Sequence, residues 1–384
     1  TESALYSSIR IQGYRGLDSF RMQGLGRVNL LVGTNNCGKT SILECIELLR
    51  SAGDPHVLSW ITDRRGEWAY ADGGDARNSP LSRRSPLVSH LFTNRELGST
   101  IRIDAERVDG FDPVAWNDKV TLCVKPPSDS DDDEESGEPE GDHDARLVLH
   151  VKWSDSEDDY RAFVTDEGLL PASQLRRAVH PGRGFRLGRW RHLANHPVEF
   201  VRTTGVTVPD VVETFSEFLL TPKEETITQA LRLVEPTIER IAPVPDGSRR
   251  HNRDAPGGMV LKLRDVADRV PIGSMGEGLW RMLGLALSMA NAEGGVLLVD
   301  EIDTGLHYSV MEDMWRMISK QAAALSVQVF ATTHSHDCYQ SLAAIANGHE
   351  NGVTIQRIER SRDKAVRISG EALVAVAERD IEVR

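Results

Sequence analysis

RVNLLVGTNNCGKTSILECIELL, running from Arg27 to Leu49, decides the fold. RVNLLVG reads as a buried strand, and after Thr40 the residues Ile42, Leu43, Ile46 and Leu49 recur at helical spacing,. Between them, Gly33-Thr34-Asn35-Asn36-Cys37-Gly38-Lys39-Thr40 fits G-x-x-x-x-G-K-[ST] in the strand-to-helix setting that the motif requires,. Its glycines let backbone N–H groups turn inward around phosphate oxygens, and the helix N-terminus adds a dipole of the right sign. ATP binding is therefore assigned to Gly33, Thr34, Asn35, Asn36, Cys37, Gly38, Lys39, Thr40 and Ser41. Lys39 is expected to bridge the β- and γ-phosphates, and Thr40 to offer its hydroxyl to Mg²⁺.

A second strand, Gly295 to Val299, runs into Asp300 and Glu301. Adjacent strand residues point to opposite faces, which predicts separate tasks: Asp300 for Mg²⁺, Glu301 for polarising the attacking water. VFATTHS (Val329–Ser335) places His334 after a third buried strand, 33 residues beyond Glu301.

DEIDTGLHYS (Asp300–Ser309) resembles the DEIE-x-GLHP-S stretch of OLD-type and RecF-like heads, which are ABC-type P-loop ATPases. PIGSMGEG (Pro271–Gly278) resembles their form of the ABC signature, although it departs from LSGGQ. The resemblance implies a head-to-tail homodimer, or a higher oligomer, with ATP sandwiched between one subunit's Gly33–Thr40 loop and the other's Ser274, Gly276 and Gly278. It also makes His334 the switch histidine; His336 has no such match. Catalysis then falls to Lys39, Glu301 and His334, with Thr40 and Asp300 on the metal. Only 49 residues follow Ser335, and they contain no D-x-D pair of a Toprim nuclease. The chain thus resembles the stand-alone ATPase subunits of PARIS- or Septu-type anti-phage systems, which implies a separately encoded nuclease or toxin as effector. A RecF-like DNA-repair clamp, with DNA as ligand, is the main alternative, and a nucleotide-binding scaffold without turnover is a third.

The expected fold is therefore α/β: a P-loop NTPase head of ABC type with a mostly parallel core sheet, an antiparallel β subdomain and a helical lobe. Residues 1–52 and 259–384 are expected to form the core, where MVLKL (Met259–Leu263) begins the renewed strand and helix alternation. Alternating runs such as STIRIDAERV, KVTLCV, RLVLHVKW and YRAFVT predict an antiparallel region over 53–207,. VVETFSEFLL and the TPKEE start signal predict a helical lobe over 208–258,. No heptad register persists between Lys39 and Ser274, which excludes the long coiled coil of an SMC-like protein.

At 384 residues the chain is too long for one small module, and 40% hydrophobic with 27% charged residues describes a globular protein,. The net charge of −13 is concentrated: ten acids and no Lys or Arg occupy residues 129–144, a loop expected to be solvated or to mimic DNA,. From Gly168 to Val198 there is no acid, while Arg176, Arg177, Arg183, Arg186, Arg189 and Arg191 gather with Phe185 and Trp190, a mixture suited to phosphate contact and base stacking,. Cys37, Cys45, Cys123 and Cys338 make no CxxC or zinc spacing,. With no apolar run long enough to span a bilayer and no signal-peptide core, a cytoplasmic protein without membrane contact is expected.

Overall fold

The computed structural model describes residues 5–51, 54–70, 84–108, 117–127, 145–154, 159–171, 174–175, 197–244, 258–346, 352–360, 362–370, 372–373 and 375. The acidic loop 129–144 and all six arginines of the basic segment lie outside them.

Two six-stranded sheets organise the protein. One is antiparallel throughout, in the order β2 (Leu17–Gln23), β1 (Tyr6–Tyr14), β6 (Thr100–Arg107), β7 (Asn117–Lys125), β8 (Ala145–Trp153), β9 (Asp159–Thr165). The other runs β10 (Val198–Val201), β14 (Val296–Val299), β15 (Gln328–Thr332), β3 (Val28–Val32), β16 (Val353–Arg357), β17 (Val366–Ile368). Its first five strands are parallel, and β17 closes the edge antiparallel. A small antiparallel sheet of β11 (Ile238–Val244), β12 (Gly258–Leu263) and β13 (Val270–Pro271), and a hairpin of β4 (Trp68–Tyr70) and β5 (Arg84–Pro86), complete the strands.

Alternation along the parallel strands creates two cores. Leu30, Leu297, Val299, Val329 and Ala331 face one cluster. That cluster is covered by α3 (Val208–Phe218), α4 (Pro222–Arg232), α5 (Glu277–Asn291), α6 (Met311–Ala324) and α7 (His336–Ile345). Leu31, Val296, Leu298 and Phe330 face the other, shared with α1 (Lys39–Arg50), α2 (His56–Arg65) and the antiparallel sheet. Thr207 and Thr221 cap α3 and α4, each with a proline in the first turn, as the start signals require,. Buried polar groups fasten the second layer. Gln328 exchanges hydrogen bonds with the Tyr6 backbone at 2.9 Å each way, and Glu44 on α1 accepts from Tyr14 Oη, Arg15 and Arg65.

Several segments pair differently from the sequence reading. β1 and β2, within residues 1–52, belong to the antiparallel sheet, because their alternating residues supply only one apolar face. β10, within 53–207, joins the parallel sheet. MVLKL forms β12, which pairs antiparallel with β11 and β13 and not with the core sheet, and β11 ends the helical run of 208–258 after Arg232.

Candidate active site

Parallel neighbours bring the C-terminal ends of β14, β15 and β3 to one edge, where α/β sheets bind ligands,. Leu31 registers with Thr332, and Val299 with Ala331, so the loops after all three strands converge. The loop after β3 is Gly33–Gly38, with left-handed backbone at Asn36 (φ 58°) and Gly38 (φ 100°). Gly33 has no room for a side chain: an added Cβ would lie 2.3 Å from the Ile358 carbonyl oxygen and 2.9 Å from Cys37 Sγ. Cys37 is buried, filling the space beneath the loop.

Lys39 Nζ donates to the Gly33 carbonyl at 2.8 Å and to Thr34 at 3.0 Å, and lies 3.4 Å from His334 Nδ1. Burial pulls the Lys39 pKa below 10.5, opposed by Cys37, Asp300 and Glu301,. His334 is likewise lowered from 6.5, first by burial and then by the Lys39 charge,. Thr40 Oγ1 donates to Asp300 at 3.1 Å, so the hydroxyl and carboxylate expected to share a metal already face each other. Hard oxygen donors in this number suit Mg²⁺, which takes one or two carboxylates plus phosphate and water oxygens. The described residues contain no cluster of three or more His, Cys, Asp or Glu that could hold a metal ion. Ser41 is buried, its hydroxyl accepting from Arg65 at 3.3 Å.

Asp300 and Glu301 separate by another route than strand alternation. β14 ends at Val299, and Glu301 takes a left-handed backbone (φ 48°), a conformation costly for a side chain of its type,. Thr332, at the end of β15, holds the turn: its Oγ1 donates to Asp300 Oδ1 at 2.7 Å and accepts from the Glu301 N–H at 2.9 Å. From α5, Arg281 donates to the Glu301 carbonyl at 3.3 Å and to Arg202 at 3.1 Å. Thr333 donates to Asp303 at 2.6 Å, and Ser335 caps α7. Sequence reasoning missed Thr332 and Arg281. Thr332 sits inside VFATTHS, where a polar residue closing an apolar strand was the available signal; nothing around Arg281 marked it.

Lys39, Thr40, Asp300, Glu301 and His334 are thus gathered at one place. Ser274, Gly276 and Gly278 are not: they lie at the start of α5, Ser274 and Gly276 are exposed, and none hydrogen-bonds to residues 33–41 among the described residues. Gly276 has φ 94° at the junction into α5. His336 opens α7 and packs edge-on against Tyr339, with centroids 4.8 Å apart. Gln174 is buried, with its N–H bonded to the Pro171 carbonyl at 2.9 Å.

A family model described as "AAA domain, putative AbiEii toxin, Type IV TA system" matches residues 28–337. A Helicobacter pylori protein named an ATP/GTP phosphatase is 29% identical over 353 residues, 88% of this chain and 87% of its own length. An uncharacterised Methanocaldococcus jannaschii protein, MJECL11, is 32% identical over 110 residues, covering 29% of this chain and 90% of its own. Among solved structures, the SMC head domain from Thermotoga maritima aligns over 96% of this chain and 99% of its own at 10% identity, with a TM-score of 0.43. No helix among the described residues is long and apolar enough to cross a membrane.

Proposed function

Because this chain belongs to the AAA domain family of the AbiEii toxin, Type IV TA system description, we propose that it hydrolyses ATP with Mg²⁺ held at Thr40 and Asp300 and with Glu301 positioning the water. The observation that carries the reading is the convergence of three strand ends on Thr40, Asp300 and Thr332, with hydroxyl–carboxylate distances of 2.7 and 3.1 Å. The loop's N–H groups and Lys39 would hold the phosphates, Lys39 exchanging its bonds to Gly33 and Thr34 for phosphate oxygens,. Mg²⁺, when bound, would neutralise phosphate charge as the bond breaks. Glu301 accepts a hydrogen bond from the attacking water, and His334, largely neutral at pH 7, contacts the γ-phosphate side next to Lys39,. Glu301→Gln should keep ATP affinity and lose roughly a hundredfold or more in turnover. Wild-type turnover in that variant would sink the assignment, whereas Lys39→Ala should lose binding itself.

The finer reading is a head-to-tail homodimer that closes on ATP through Ser274, Gly276 and Gly278 and regulates a separate effector. The exposure of Ser274 and Gly276 supports a role in trans. The family description sets the AAA domain itself in a toxin–antitoxin system, which supports a second protein as partner. Purification from the native host with and without ATP tests this. A nuclease or toxin retained in a nucleotide-dependent way is expected, and recovery of the ATPase alone under both conditions would favour DNA repair instead.

A further inference from the structure

Beside the Glu301 turn lies a second pocket of about 50 Å³, formed by the segment after β10, the first turns of α5 and Thr304. One water needs only about 10–15 Å³ of such space, so the pocket admits something larger. Its wall includes Arg281, only 6% exposed. Arginine this buried is nearly always matched by a carboxylate. Arg281 forms no ion pair among the described residues: it donates to two carbonyls, those of Arg202 and Glu301, and its Nε has no partner. Asp303 acts on it only at longer range, with its carboxylate engaged by Thr333, and burial holds the Arg281 pKa below its ordinary value. Thr203 and Thr204 also line the pocket, as does Thr304, whose hydroxyl donates to Glu301 Oε2 at 3.4 Å. Glu277 also lines the pocket, but its carboxyl lies toward Gly305, 3.4 Å from where a Cβ there would stand, and it forms no ion pair with Arg281.

We propose that this pocket binds a small inorganic oxyanion of the phosphate class, held by Arg281 and the threonine hydroxyls and distinct from the cradle at Gly33–Thr40. A tetrahedral oxyanion supplies the compensating charge that the buried guanidinium lacks, and its oxygens accept from both guanidinium and hydroxyl donors. Arg281 also holds the Glu301 carbonyl, so the anion and the water-positioning turn share one guanidinium. The site therefore offers a way for free phosphate to influence hydrolysis without occupying the nucleotide loop.

Phosphate binding is read independently of turnover, by titrating inorganic phosphate into the full chain and following it by calorimetry or ³¹P line broadening. In Lys39→Ala, which disables the nucleotide loop, phosphate binding should persist and be competed by sulfate. Adding Thr204→Phe, a change at an exposed lining position that fills the space without touching the core, should weaken it about tenfold or more,. Arg281→Met should do the same if it folds; Thr204→Phe carries the test if it does not, with circular dichroism as the folding control. Loss of all phosphate binding in Lys39→Ala, or unchanged binding after Thr204→Phe, would overturn the proposal. Absent ATP turnover with intact phosphate binding would instead retire the hydrolysis reading and leave this one standing.

Discussion

Thr332→Val removes one hydroxyl and little else, because valine has nearly the same shape and the site is 1% exposed. The lost bond to Asp300, at 2.7 Å and to a charged acceptor, is worth about 1.5–3 kcal/mol,. Its second bond, at 2.9 Å, satisfies the Glu301 N–H, and leaving that donor without an acceptor costs about 1–3 kcal/mol more,. Both losses fall on the turn that separates the proposed metal ligand from the proposed water-positioning group, and neither falls on the Gly33–Thr40 loop. If about 2 kcal/mol is expressed in the transition state, kcat falls about thirtyfold. ATP affinity should stay within about threefold, because the bonds lost are not those expected to hold phosphate. Single-turnover hydrolysis beside equilibrium nucleotide binding separates the two, and Thr332→Ser, which keeps the hydroxyl, should restore most of the rate. A folded Thr332→Val enzyme with wild-type kcat would refute the assignment of the turn.

The acid limb of the rate profile should lie below pH 6.5, because the fold lowers the His334 pKa and protonation would set a second positive charge beside Lys39. The same sign governs stability: the unfolded chain protonates first, so the contribution of His334 is complete above 6.5 and is lost as pH falls through the window beneath it,. His334→Gln should flatten the acid limb in kcat/KM, and an unchanged profile would assign that limb to another group. Mixing Ser274→Arg with Lys39→Ala subunits should restore partial ATPase activity, because a mixed dimer concentrates both lesions in one site and spares the other. No recovery from heterodimers shown to form would count against head-to-tail pairing.

What the sequence made legible was contiguous. The Gly33–Thr40 loop lies within one short stretch, its glycines forced by local geometry, and Asp300 and His334 follow apolar runs that could only be buried strands. Pairing partners were harder, since alternation in β1 and β12 fixes which residues face inward but not which strand lies alongside. Arg281 was invisible for a related reason: a cationic residue one turn into an amphipathic helix reads as a solvated face until tertiary packing buries it. Separate tasks for Asp300 and Glu301 were expected from strand alternation, whereas the left-handed backbone at Glu301 was not foreseen, because φ at a non-glycine residue leaves no mark in composition,.

Placing β3 between β15 and β16 has a consequence for biosynthesis. Leu31 finds its neighbours in Thr332 and Gln356, some 300 residues further along. At about 5–20 residues per second, roughly 15–60 s of translation separate the two halves of that pairing. Throughout that interval the apolar Val28–Val32 segment has no native strand beside it, and the nucleotide loop that follows has no rigid support. Such wide separation also raises the contact order, which slows folding once the chain is free. A chain that ends before Gln328 therefore carries the entire phosphate-binding motif without the β15 strand that flanks it, so nucleotide binding is expected only once synthesis has passed that point.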